Sequence, residues 1–164
     1  MTKKEYGLFS LPVIVAALGF FVDIFDLLLF GVVRKPSFRE LGLSDAEILT
    51  KGELTISIQL IGMVIGGIIW GIIGDKFGRL KVLFGSIILY SLANIANGFV
   101  QDINTYIIIR FIAGVGLAGE LGAGITLVSE ILPKEKRGLA GTIIATCGVL
   151  GGISAALLSK VITD

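Results

Sequence analysis

The chain contains no histidine and a single cysteine, Cys147. No intrachain disulfide is possible, and a structural zinc or haem site lacks its usual donors, so no metal and no cofactor is expected. Any proton chemistry then falls to carboxylates. Charge is scarce too: Asp, Glu, Lys and Arg make up 16% of the 164 residues, and the net charge is +1. A soluble domain carries roughly a quarter of its residues charged. With no basic face nucleic acid is not an expected partner, and no acidic tract points to a charged protein partner. No nucleophile and base pair up in an aqueous setting, so an enzyme is not expected. What is abundant is apolar: 54% of residues are hydrophobic and the mean hydropathy is +0.94. The expected solvent for most of the chain is lipid.

A helix needs about 20 mostly apolar residues to cross about 30 Å of hydrocarbon. Five stretches qualify: Phe9 to Val33, Leu54 to Ile73, Val82 to Val100, Tyr106 to Val128 and Leu139 to Leu158. Lys3 and Lys4 before the first stretch resemble a signal sequence, but that run carries Asp23 and Asp26 and is long enough to span, so it reads as an uncleaved first helix. Unpaired backbone groups cannot face lipid, and the alternation of barrel strands is absent, so the fold class is all-α, an integral membrane bundle of about five transmembrane helices over residues 1–164. In the longest connection, Arg34 to Glu53, Ser44 and Glu47 have capping-box spacing and can start the second helix outside the bilayer.

Lysine and arginine in short loops set orientation. A cytoplasmic N-terminus places Lys3, Lys4, Lys76, Arg79, Lys81, Lys134, Lys136 and Arg137 inside and Arg34, Lys35, Arg39, Lys51 and Lys160 outside. The expected location is the cell inner (plasma) membrane, multi-pass.

Between the second and third spans, Gly71-Ile-Ile-Gly74-Asp75-Lys76-Phe77-Gly78-Arg79-Leu80-Lys81 makes a tight charged turn. Gly74 and Gly78 permit the reversal. Asp75 can meet a helix N-terminus or a base, and Arg79 a carboxylate on another loop, which would latch one end of a bundle. A basic loop that only fixes orientation is the alternative. This segment resembles the G-x-x-x-D-x-x-G-R motif between helices 2 and 3 of the major facilitator superfamily. Arg110-Phe-Ile-Ala-Gly114-Val-Gly116 is similar to the R-x-x-x-G-x-G of its helix 4. Glu130-Ile-Leu-Pro133-Lys-Glu-Lys-Arg137-Gly138 is similar to the E-x-x-P-x-x-x-R-G exit of sugar porters and metabolite/proton symporters. Asp23-Ile-Phe-Asp26 resembles the D-G-x-D of aromatic-acid/proton symporters, with isoleucine for glycine. Gly119-Glu120 resembles the end of a G-G-E, with Ala118 for the first glycine. The resemblance covers the chain and implies the N-terminal helical domain of a twelve-helix transporter.

Charged groups inside spans cost a few kcal/mol each unless paired or wetted, which makes them functional candidates. Asp23 and Asp26 share a helix face, and two close carboxylates in poorly solvated surroundings repel, so retaining a proton between them is favoured. Hydration of a vestibule is the bland alternative. At about 1.5 Å per residue, Asp26 lies about 7 Å, Asp23 about 4 Å and Arg110 about 10 Å outside the midplane, so Asp26 is the better match for Arg110. Asp26 is expected to pair with Arg110 when ionised and release it when protonated, a static salt bridge being the alternative. Arg110 also stands as a substrate contact. Glu120, near the midplane, either lines the pocket or carries the proton, unless it bonds a hydroxyl of a neighbouring helix, with Thr55, Ser57, Thr126, Thr142 and Ser154 available. Glu130 and Arg137 are expected to join Asp75, Gly78 and Arg79 in a cytoplasmic gate network.

Gly62, Gly66, Gly67 and Gly71 on the second span and Gly114, Gly116, Gly119, Gly122 and Gly124 on the fourth form small-residue faces that predict close packing. The fifth span has Gly148-Val-Leu-Gly151-Gly152 without the proline of drug antiporters, which favours symport. The expected function is secondary active transport of a small organic anion or other metabolite in symport with protons, within the lipid bilayer. The alternative is a transport-incompetent fragment or half-transporter, a homodimer or a partner to a missing C-terminal half, acting as an oligomerising, sensory or scaffold domain.

Overall fold

The computed structural model describes residues 7–163, so Lys3 and Lys4 lie outside the described residues. Five helices follow one another: α1 (Leu11–Glu40), α2 (Asp45–Phe77), α3 (Arg79–Asn97), α4 (Ile103–Ile131) and α5 (Lys134–Thr163), with no strand among the described residues. Each is long and apolar enough to cross a membrane. Large apolar side chains such as Leu18, Ile61, Val64, Ile88, Ile108 and Leu157 stand on the outside of the bundle. Only lipid makes such a surface stable, and the chain is a multi-pass membrane protein.

The helices are longer than the apolar runs that announce them. At 1.5 Å per residue, 30 residues of α1 reach about 45 Å, well beyond the hydrocarbon thickness. The helix continues past Val33, through Pro36, to Glu40, so most of the connection expected between the first two spans is helical. Pro36 has no N–H to offer the Val32 carbonyl. α2 starts where Glu47 accepts hydrogen bonds from the Ser44 backbone N–H, at 2.9 Å, and hydroxyl, at 2.6 Å. α3 ends at Asn97 rather than Val100.

α4 occupies the centre, lying along α2 on one side and α3 on the other, while α1 packs along α5 and meets α4 where the charged residues gather. One apolar cluster, with Val13, Ala17, Val128, Leu132 and Ile144, closes the end near the α4–α5 turn, and another, with Phe30, Phe38, Ile48 and Tyr106, closes the opposite end. Backbone approaches backbone between α2 and α4. A Cβ at Gly62 would overlap the Phe111 carbonyl oxygen, one at Gly66 would lie 2.5 Å from that of Val115, and one at Gly114 would overlap that of Gln59. The other glycines of the expected faces divide. Gly116 and Gly119 admit Tyr90, Ser86 and Trp70, whereas Gly67, Gly71 and Gly122 meet nothing within 4 Å.

Asp102 caps α4, its carboxylate accepting from the Thr105 N–H at 2.9 Å. The Thr105 hydrogen bonds hold its pKa below the usual 3.8. A depressed carboxylate stabilises above its unfolded pKa, and the contribution fades as pH falls through the folded one. Asp102→Ala is therefore expected to lower the thermal midpoint near neutral pH, with the gap to the parent closing in acid below the usual carboxylate range. Paired melting curves across pH measure this.

Candidate functional site: a charged centre within the bundle and a charged latch at its end

One face of α1 carries Gly19, Asp23, Asp26 and Phe30, spaced four, three and four residues apart, which is the spacing of a single helical stripe. α4 presents Arg110 and Glu120 to it. Arg110 and Asp26 come together, Nη1 to Oδ2 at 3.4 Å. The Tyr90 hydroxyl of α3 donates to the same Oδ2 at 2.6 Å. Both contacts fall on one carboxylate oxygen, which leaves Oδ1 for another partner. The Arg110 guanidinium lies over the Phe30 ring, 4.0 Å from its centroid, with the Tyr106 ring at 5.6 Å. The rings' negative faces ease the burial of a cation that is only 7% exposed. Its Nε has no hydrogen-bond partner, so most of its five donors are uncommitted.

Asp23 and Glu120 lie deeper. Asp23 is 3% exposed, and neither carboxyl oxygen has a hydrogen-bond partner. Glu120, 8% exposed, rests its Oε1 where a Cβ on Gly19 would stand, one turn from Asp23. Glu120 and Asp26 both act electrostatically on Asp23, so the three carboxyls form one cluster with one base. Glu120 makes no hydrogen bond among the described residues. The hydroxyls of Thr55, Ser57, Thr142 and Ser154 are spent on the backbones of their own helices. A cavity of about 440 Å³ opens on Arg110 between the ends of α1, α3 and α4, with Asn94, Asn97, Gln101 and Tyr106 in its wall.

The second charged group sits at the α2–α3 turn. Gly78, with φ +92°, ends α2 and begins α3, a conformation that side chains rarely adopt. Arg79 Nη2 reaches Asp75 Oδ1 at 2.6 Å, and its Nε reaches Glu130 Oε1, near the end of α4, at 3.5 Å. Asp75, Arg79 and Glu130 thus join three helices. Two expectations change here. Arg137 is not part of this network: its Nε donates to the Leu132 carbonyl at 3.0 Å, because the end of α4 exposes carbonyls that need donors and Arg137 sits one turn into α5. Gly74 does not shape the turn. It is buried inside α2, and a Cβ there would stand 2.8 Å from Arg79 Nη1, so its role is to leave room for that guanidinium.

Tyr90 is the partner that sequence reasoning missed. The one phenol in an uncharged span was the available signal, since a tyrosine hydroxyl at that depth needs an acceptor.

Known proteins share this arrangement of sequence. A Haemophilus influenzae protein named for metabolite transport is 35% identical over 164 residues, covering 99% of this chain and 39% of its own length. A benzoate transport protein of Acinetobacter baylyi is 34% identical over 155 residues, 92% of this chain and 32% of that protein. The niacin transporter of the same organism is 33% identical over 145 residues, 88% of this chain and 32% of that protein. The chain thus spans about a third of the length of the curated relatives it matches. The Major Facilitator Superfamily profile matches residues 16–164, which takes in the charged stripe of α1, the Arg79 latch and Arg110, and the chain belongs to that superfamily.

Proposed function

We propose that the chain serves proton-coupled symport of a small organic anion, with the Asp26–Arg110–Tyr90 arrangement as the coupling element. The observation that carries this reading is the lopsided commitment of the pair. Asp26 takes both contacts on Oδ2, while buried Arg110 keeps unspent donors beside a cavity of about 440 Å³. A proton arriving at Oδ1 cancels the charge that holds Arg110, and the freed guanidinium can then take a carboxylate as a two-pronged donor. The proton and the substrate thereby bias the same pair of states. Asp23 and Glu120 supply further carboxyls for the proton's passage. Niacin and benzoate, which name two of the relatives, are both aromatic carboxylates and fit an arginine flanked by Phe30 and Tyr106.

The remaining topology is part of this reading. The N-terminus lies in the cytoplasm and the bilayer is the inner membrane, so the Asp75–Arg79–Glu130 latch faces the cytoplasm and gates that side. Proteoliposomes carrying the chain, given benzoate or niacin and an imposed pH gradient, test it. Uptake that follows the gradient and disappears in Asp26→Asn supports symport. Uptake indifferent to the gradient means facilitated diffusion. Absence of uptake from folded protein assigns the chain to a domain that needs a second half, or to an oligomerising, sensory or scaffold role.

A further inference from the structure

A second basic pocket lies away from the Asp26–Arg110 pair, where the end of α1 meets the start of α2. It is a cavity of about 300 Å³ lined by Arg34, Lys35 and Arg39 of α1 and Asp45, Ile48 and Leu49 of α2. The charges in it do not balance. Asp45 is taken by Arg39, whose Nη2 reaches Oδ1 at 3.0 Å and whose Nε reaches the same oxygen at 3.3 Å. Arg34 and Lys35 have no ion pair among the described residues, which leaves two cationic groups without a counter-charge in the lining. Nη1 of Arg34 is buried and has no hydrogen-bond partner. Its guanidinium is drawn against α2 at Gly52, where a Cβ would stand 3.4 Å from that nitrogen, so the glycine lets Arg34 lie inside the groove rather than reach out to water. A buried donor left unmade costs free energy, and an incoming oxyanion would satisfy it.

Depth and shape identify the occupant. α1 is apolar from Leu27 to Val33 and basic from Arg34, while α2 carries no charge from Leu54 to Gly74 and charged residues immediately before. The pocket therefore sits where the hydrocarbon gives way to headgroups, and the exposed Leu49 offers an apolar surface beside the bases. We infer that this pocket binds the phosphate of an anionic phospholipid, with Arg34 and Lys35 as its ligands and the lipid chain lying along Leu49. Arginine supplies a flat two-pronged donor to phosphate oxygens and lysine a mobile charge. Basic pockets between membrane helices at the interface recognise headgroups in this way. The inference stands apart from the transport reading and survives its failure.

Thermal unfolding of the detergent-purified chain tests it, with added dioleoylphosphatidylglycerol, dioleoylphosphatidylcholine or inorganic phosphate. The anionic lipid is expected to raise the midpoint by about 4 °C, with little effect from the other two. Arg34→Gln with Lys35→Gln should abolish the shift. Lys35→Gln alone, at an exposed position that does not threaten folding, should weaken it. Lys81→Gln, at the opposite end, should leave it intact. An equal shift with phosphatidylcholine, a shift from inorganic phosphate alone, or a shift left undiminished when Lys35 is neutralised would each overturn the assignment.

Discussion

Gly114→Ala is expected to destabilise the bundle by about 2–3 kcal/mol, the upper part of the range for overpacking a tight interior, although the same exchange favours an isolated helix by up to about 1 kcal/mol. The added methyl would overlap the Gln59 carbonyl oxygen and come within 3.2 Å of the Met63 nitrogen. Both obstacles are backbone, so no rotamer change relieves them and α2 must move off α4. Gly62 faces the Phe111 carbonyl on the same seam, so the displacement also opens the reciprocal contact. Gly122→Ala provides the comparison, because nothing lies within 4 Å of a Cβ there. It should be neutral or slightly stabilising. Unfolding of both variants in the same detergent separates helix–helix contact from helix propensity, and equal midpoints would refute the seam.

Asp26→Ala is the second large effect. It strips the buried Arg110 of its counter-charge and the Tyr90 hydroxyl of its acceptor at once. Breaking a buried pair from one side costs about 3–5 kcal/mol, and the partial exposure of Asp26, 23% for its side chain, places this case at or below the lower figure. Asp26→Asn keeps an oxygen for Tyr90 and should cost less, while under the proposed symport any gradient-driven uptake should fall to the level of empty liposomes. Adding Arg110→Met to Asp26→Ala removes the stranded cation and should recover most of the lost stability, but not the transport. A double-mutant cycle by thermal unfolding, with uptake measured on the same preparations, reads both quantities. Failure of the double variant to recover stability would mean that Arg110 leans on its aromatic neighbours rather than on Asp26.

The charged centre was legible where helix geometry alone decides position. Asp26 and Arg110 could be matched by depth because both sit in long helices with a known rise per residue. Tyr90 could not be matched, because its partner depends on how α3 is rotated against α1 across α4. Latch residues divided for a similar reason. Arg79 is confined to a two-helix turn and reaches Asp75 four residues away. Arg137, one turn into α5, had a choice between Glu130 and the open carbonyls of α4, and a short-range backbone acceptor prevailed.

By itself the sequence determined the solvent, the number of crossings and the all-helical class. Lipid offers no hydrogen bonds, so any apolar run of sufficient length has one backbone solution. It also determined which side chains are costly inside the membrane and therefore candidates for function. Tertiary structure alone decided which glycines are contacts and which are idle, that α1 runs through Pro36 to Glu40, and which polar groups pair. Each of those outcomes depends on the rotation and crossing of one helix against another, a quantity set by the fit of whole surfaces rather than by any local run of residues.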